Sequence, residues 1–325
     1  MNHEKIIVTG GTGYVGSRVA KALAECRLPI RVVDIISPEE RGIKFPPNVT
    51  FYKADLKVKE EAVAAFSGGD TVFHFAADIG SVGYMQKFQA DIMTNNAVTD
   101  ANVFSALKEN KIKLVIYSSS SMVFQEAKKY PYWEGDLLET PPPRNVYGFS
   151  KLAGEYFARS YRAQYGIPYV ILRFYNIYGP GEDAKGETSA DVHVIPALIG
   201  KVLKGKYPLP IIGSPHATRS FLYIDDVVEA ILKIFDLAKE GNENVLNNDF
   251  NVGSEESIEI GKLGEIIWNL LGDGRSYKYI SDNTFRDTAH RREVNPKKIK
   301  EIIGWTPKTT LSKGILKTAE WVKGK

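Results

Sequence analysis

The segment 8-VTGGTGYVGSRVA-20 limits what this chain can fold into more than any other stretch. Gly10, Gly13 and Gly16 follow directly on the apolar run Lys5–Val8 and open an amphipathic helix pattern. Glycine at these points lets the chain turn tightly, brings backbone N–H groups against a pyrophosphate and lets helix and strand pack closely. The spacing alone would say little. In this context the loop, with Tyr14 and Val15, is expected to cradle a dinucleotide; the alternative is a glycine-rich turn that holds nothing.

The remainder of the first half repeats the same alternation. Further strands are expected at Ile30–Val33, Val49–Tyr52, Thr71–Phe75, Leu114–Tyr117 and Tyr169–Leu172, with helical stretches such as KEEAVAAF and SKLAGEYFARSYRAQYG between them. Continuous apolar strands separated by helices indicate a parallel sheet covered on both faces, a doubly wound α/β domain of Rossmann type. Asp34 ends the second strand, followed by Ile35. A carboxylate there accepts hydrogen bonds from ribose hydroxyls and repels a 2′-phosphate, which favours NAD over NADP, although Asp34 can instead cap the next segment. Asp55 and Leu56 follow the third strand, where a contact to the adenine ring and a plain turn are both open readings.

After Arg173 the pattern loosens into the polar, Gly-rich GPGEDAKGETSADVHV, then a helix (IPALIGKVLKG) and a further helix near YIDDVVEAILKIF. Asp225 and Asp226 suit the positive end of that last helix. A small C-terminal unit interleaved with the sheet is expected: residues 1–175 with about 216–253 form the dinucleotide side, and 176–215 with 254–325 the second unit. A net charge of +3 without like-charge blocks gives no support for nucleic acid or a membrane surface as partner. No run of 18 apolar residues occurs and the N-terminus enters a strand with no leader pattern, so a cytoplasmic protein is expected. The single cysteine, Cys26, excludes an internal disulfide and a cysteine zinc site, and is read as a buried or half-buried small apolar residue. His74 lies in an apolar strand and is read as a core histidine, and the remaining histidines lack ligand spacing, so no metal is expected.

Chemistry is expected where 117-YSSSSMVFQE-126 closes the fifth strand and 147-YGFSK-151 opens a helix. Residues four apart share a helix face, so the Lys151 ammonium should lie near the Tyr147 phenol. That cation, with the charge of an oxidised nicotinamide, is expected to lower the phenol's pKa towards neutrality.

Taken with 74-HFAAD-78, Asn95, 173-RFYNIYGPG-181, 219-RSFLYIDD-226, 250-FNVGS-254 and the ending GWTP, these pieces resemble the extended short-chain dehydrogenase/reductase family, in its nucleotide-sugar branch. The resemblance covers nearly the whole chain. It implies that Ser120, Tyr147 and Lys151 remove a sugar hydroxyl proton while hydride passes to NAD. It adds Phe75, Ala76, Ala77, Asn95, Ser118 and Tyr175 to the cofactor shell. For the substrate, a nucleotide-diphosphate sugar, it implies Gly80, Ser81 and Met122 beside Ser120, then Asn176, His193 and Val194, and Arg219 with either Arg286 or Arg291 on the diphosphate. Asn176 can also be a loop amide that satisfies backbone groups, and either second arginine can be a surface ion-pair partner. A homodimer is typical of the family.

The loop 76-AADIGSVGYMQ-86 is similar to that of GDP-mannose 3,5-epimerases, which place a cysteine where this chain has Met122. A thioether has no proton to give or take. The Asp-Glu pair of 4,6-dehydratases and the glutamate of decarboxylases are also missing after Ser120. The surviving Ser-Tyr-Lys set suits 4-epimerisation of a UDP-sugar through a 4-keto intermediate. A GDP-sugar epimerase or C4 oxidoreductase is the alternative, and a non-catalytic NAD-binding sensor the reading from another class. The insertion 125–136, with Tyr130, Tyr132 and Trp133, is read as a lid, a dimer contact or ordinary surface packing.

Overall fold

A computed structural model describes residues 5–182, 193–282 and 291–324. Seven strands form the central sheet: β1 Ile6–Thr9, β2 Ile30–Asp34, β3 Val49–Lys53, β4 Thr71–His74, β5 Leu114–Ser120, β6 Tyr169–Phe174 and a late strand, Asn248–Val252. All neighbours run parallel, in the order late strand–β6–β5–β4–β1–β2–β3. The strands nearest the middle are buried on both faces, as their unbroken apolar runs require. Chain order reverses between β1 and β4, and such a switch point opens a crevice at the carboxyl ends of the strands.

Helices α1 Tyr14–Glu25, α2 Lys59–Phe66, α3 Val82–Lys87, α4 Gln89–Glu109 and α5 Val146–Tyr165 cover the first five strands, followed by α6 Val194–Leu203 and α7 Ile224–Lys239. Asp225 and Asp226 fall in the first turn of α7 as expected, and Asp226 also accepts the backbone N–H groups of Lys308 and Thr309. The smaller strands are β7 Asn176–Tyr178, β8 Leu209–Ile212, β9 Thr218–Tyr223, then the late strand as β10, β11 Ser257–Glu259, β12 Tyr279–Asp282 and β13 Arg291–Arg292. Among the described residues β9 carries β7, β11 and β13, while β8 pairs with β12. No helix among them is long and apolar enough to cross a membrane.

Cys26 departs from expectation. It is exposed, because α1 turns Val19, Ala20, Leu23 and Ala24 to the core and Cys26 is already the C-cap. Behind the ends of β5 and β6 lies a buried ion network. Arg173 donates to both oxygens of Glu155, at 2.8 and 2.7 Å, and to Asp249 at 2.7 Å, while Ser119 donates to Glu155 at 2.6 Å. Arg173 and Glu155 are fully buried, so their charges persist only because each is satisfied by the other and by hydrogen bonds. The network ties α5 to β5, β6 and β10, and thereby sets where α5 presents its first turns.

Candidate active site

A cavity of about 850 Å³ opens at the switch point and runs from the glycine loop past the end of β5 to β9 and β13. At its floor Gly10 has φ +60° and packs so closely on the end of β4 that a Cβ would lie 2.7 Å from the Ala76 nitrogen. Gly16 is equally confined, since a Cβ there would come within 2.3 Å of the Gly10 carbonyl. Gly13 is the N-cap of α1, and no side chain caps the helix. The first N–H groups of α1, at Tyr14, Val15 and Gly16, thus face the cavity at the positive end of the helix dipole, as an anion site requires.

Asp34, Ile35, Asp55, Leu56, Phe75, Ala76, Ala77, Asn95, Ser118 and Tyr175 all line the same cavity. Asp34 also does the alternative work, since its carboxylate accepts the N–H groups of Thr12 at 3.1 Å and Ile36 at 3.2 Å. It thereby braces the glycine loop while still bordering the cavity. Asp55 likewise accepts the Lys57 N–H within its own turn, at 2.9 Å. Asn95 donates to Asp78 at 2.8 Å, and Tyr84 donates to the other Asp78 oxygen at 2.9 Å. Asp78, the last residue of HFAAD, is therefore the anchor for Asn95. Gly80 and Ser81 border the cavity, with Ser81 capping α3.

Beside this floor stand Ser120, Tyr147 and Lys151. β5 ends at Ser120, whose Oγ accepts the Met122 N–H at 3.2 Å and lies on the Tyr147 side of the cavity. Asn145 caps α5 with its side chain and so fixes the turn that carries Tyr147. Tyr147 and Lys151 are both buried, one turn apart on the face of α5 that meets β5. In the protein alone the phenol's pKa is raised, not lowered. Burial is the largest cause, the neighbouring Ser120 hydroxyl opposes it, and the Asp100 charge adds to it. Burial lowers the Lys151 pKa, with Asp100 opposing. The other three serines also border the cavity, but Ser119 is tied into the ion network and Ser121 starts the 3₁₀ turn after β5.

The far end of the cavity is cationic. Arg219 is buried on β9, and β13 runs alongside in the register Arg291 to Thr218 and Arg292 to Arg219. Side chains alternate along strands, so Arg292 shares a face with Arg219 and both line the cavity. Arg291 points the other way, exposed and paired with Glu293 at 2.8 Å. Of the two arginines expected as alternatives for the diphosphate, Arg291 does not line the cavity whereas its neighbour Arg292 does, and Arg286 lies outside the described residues. Burial lowers the Arg292 pKa to about 10, and burial plus the charge of Arg292 lowers that of Arg219. Two desolvated guanidiniums side by side form a site for a polyanion.

Met122 is buried against Tyr147, and its Sδ accepts from Arg292 at 3.3 Å. Asn176 borders the cavity while donating to the Ser220 carbonyl at 2.9 Å, which links β7 to β9. His193 and Val194 line the wall, and His193 Nδ1 is paired with Glu182. The insertion 125–136 packs rather than hangs over the site. Tyr132 is buried on Phe124, Tyr175 and Val294, donates its hydroxyl to the Arg291 carbonyl at 2.7 Å and its N–H to Glu293 at 2.8 Å. It clamps β13 and thus presents Arg292.

Comparison with known proteins agrees with this geometry. The family model described as the NAD dependent epimerase/dehydratase family matches residues 6–253. A putative UDP-glucose 4-epimerase of Methanocaldococcus jannaschii is 30% identical over 98% of both chains. A GDP-mannose 3,5-epimerase of Arabidopsis thaliana is 28% identical over 98% of this chain and 82% of its own length. The crystal structure of a Thermotoga maritima UDP-glucose 4-epimerase with UDP-glucose superposes with a TM-score of 0.84 at 26% identity, covering 98% of this chain and 99% of that one. The uncapped N-terminus of α1, the closely packed glycines and Asp34 fit a dinucleotide. The chain belongs to the NAD dependent epimerase/dehydratase family.

Proposed function

We propose that the protein is an NAD-dependent nucleotide-sugar epimerase that inverts C4 of a UDP-sugar through a transient 4-keto intermediate. The observation that carries this reading is the gathering of Ser120, Tyr147 and, one turn on, Lys151 in a single cavity that ends in Arg219 and Arg292. The glycine loop and Asp34 would hold NAD, which when bound would supply the hydride acceptor and a positive charge that favours the Tyr147 phenolate against the effect of burial. Ser120 then holds the reacting C4 oxygen, and Tyr147 takes its proton and later returns it. Lys151 stabilises the phenolate, and the arginine pair grips the diphosphate while leaving the sugar room to turn over in the cavity. Met122 offers no proton, so the position two residues beyond Ser120 supplies no acid or base at C3 or C5.

A GDP-sugar epimerase is the second reading. His193, paired with Glu182 in the cavity wall, is a proton-transfer group of the kind such chemistry adds. Its position works against the charged imidazole, but Glu182 raises the pKa on balance.

The cofactor side comprises residues 1–175 with about 216–253, and the sugar side 176–215 with 254–325. β10 in the main sheet supports this division, while β9 of the same segment joins the smaller sheet with β7, β11 and β13. A homodimer through α4 and α5 is supported by exposed Val98, Phe149 and Tyr156. The single cysteine suits a reducing cytoplasm. Incubation with UDP-glucose, UDP-galactose, UDP-glucuronate and GDP-mannose, with sugar analysis and reduced-nicotinamide absorbance, tests the function. The 4-epimer of a UDP-sugar without stoichiometric NADH supports it. Accumulating NADH or keto-sugar refutes it, as does full activity in Tyr147→Phe.

A further inference from the structure

Beneath the reacting pair lies a second buried chain of polar groups that the reaction as described does not use. Asp100, in the middle of α4, is 4% exposed. Its Oδ1 pairs with His74 Nε2 at 2.9 Å, and its Oδ2 accepts the Tyr117 hydroxyl at 2.9 Å. His74 Nδ1 in turn meets the Thr9 hydroxyl at 2.7 Å, and Thr9 Oγ1 accepts the Ala76 N–H at 3.3 Å. One assignment satisfies every donor: Ala76 N–H to Thr9, Thr9 O–H to His74, His74 Nε2–H and Tyr117 O–H to Asp100. Asp100 thus receives one hydrogen bond on each oxygen, as a carboxylate anion would. Gly154 shows that the chain makes room for this arrangement, because a Cβ there would lie 1.7 Å from the Tyr117 hydroxyl and 2.4 Å from Asp100 Oδ2.

Lys151 lies over the ring of Tyr117, its ammonium 5.1 Å from the centroid. An ammonium over an aromatic face is held by the ring's quadrupole, and a ring whose hydroxyl donates to an anion is richer in electron density. Lys151 is 3% exposed, so solvent does little to support its charge. We propose that Asp100 is a positioning residue for the Tyr147–Lys151 pair, the buried counter-charge that, through Tyr117, keeps Lys151 an ammonium at the bottom of the cavity. This rests on the assignment of Tyr147 and Lys151 as the proton-transferring pair.

The titratable groups facing this cluster are His74 from β4, Tyr117 from β5, and Tyr147, Lys151 and Glu155 from α5. Glu155 is already neutralised by Arg173. Asp100 is therefore the anion left to act on Lys151. Asp100 opposes the fall in the Lys151 pKa that burial causes, in keeping with this role.

The test is the Asp100→Asn variant, which keeps the shape and removes the charge, with the smaller neutral Asp100→Ser beside it. The Lys151 midpoint is read directly by NMR of protein carrying ε-13C lysine, and the basic limb of the kcat profile is read in parallel. Both are expected to move to lower pH by about one unit or more, with the protein still folded and loaded with nicotinamide. An unmoved Lys151 midpoint and basic limb, with activity reduced equally at all pH values or only a lower melting temperature, overturns the proposal. So does failure of both variants to fold, since Asp100 would then be structural only. Should Tyr147→Phe keep full activity, it is the assignment of the pair that fails, and the NMR midpoint still decides the role of Asp100.

Discussion

Arg292 donates to the Sδ of Met122 at 3.3 Å, so the residue two places beyond Ser120 seats a guanidinium. The same arginine stands opposite Arg219 across the β9–β13 pair. The catalytic corner and the anion site are thereby built on one contact.

Arg292→Ala should raise KM for the nucleotide sugar by roughly 10- to 100-fold, the range of a charge-assisted hydrogen bond, with a smaller change in kcat. Arg291→Ala, whose side chain pairs with Glu293 outside the cavity, should leave KM within about twofold, as surface ion pairs contribute little. Steady-state kinetics on the two single variants checks both, and equal effects would contradict the placement of Arg292.

Gly10→Ala adds a Cβ at φ +60° and 2.7 Å from the Ala76 nitrogen, so strain and a backbone clash coincide. The variant should lose most of its bound nicotinamide, read by absorbance after denaturation. The phosphate cradle is incorrectly placed if occupancy stays unchanged.

Arg173→Ala leaves Glu155 buried without its partner and should cost about 3–5 kcal/mol in denaturant unfolding. Asp249 adds a pH signature. Burial works to raise its pKa, but Arg173, Lys298 and Arg159 hold it well below the usual carboxylate range. A depressed folded-state pKa gives stability that is complete above the unfolded value near ~4 and is lost as pH falls below it. Asp249→Asn should therefore flatten the acid side of the stability curve, as measured by melting temperature between neutral pH and about pH 3.

Tyr132→Phe removes the hydroxyl that holds the Arg291 carbonyl, at a cost near ~1 kcal/mol. Because the clamp presents Arg292, KM for the nucleotide sugar should rise by several-fold while the folded fraction stays near that of the parent. Titration calorimetry with the nucleoside diphosphate separates this from a general loss of stability.

The main sheet was legible because each of its first six strands is a short apolar run closed by turn residues. The reactive residues follow from it, since strand ends at a switch point face one crevice. Ser120 and Tyr147 meet as their positions implied. Arg292 was not legible: the choice between it and Arg291 is decided by a one-residue register against β9, fixed by Tyr132 from an insertion more than 150 residues away in sequence. The only signal was Arg219 itself, which selects whichever arginine of a paired strand lies opposite. The phenol's raised pKa was missed for a similar reason, because helical spacing reports the neighbouring lysine but not the depth at which α5 packs on β5. Asp78 and Asp100 likewise gain meaning only from partners on other elements.

The most direct test of the central claim is the fate of hydrogen at C4. A UDP-sugar substrate deuterated at C4 is converted in ordinary water, and the unlabelled substrate in heavy water, with both products read by NMR and mass spectrometry. The expected result is a 4-epimer that keeps its deuterium at C4 in the first reaction and gains none at any carbon in the second. Exchange with solvent at C3 or C5, or loss of the C4 label, would contradict inversion by direct hydride return.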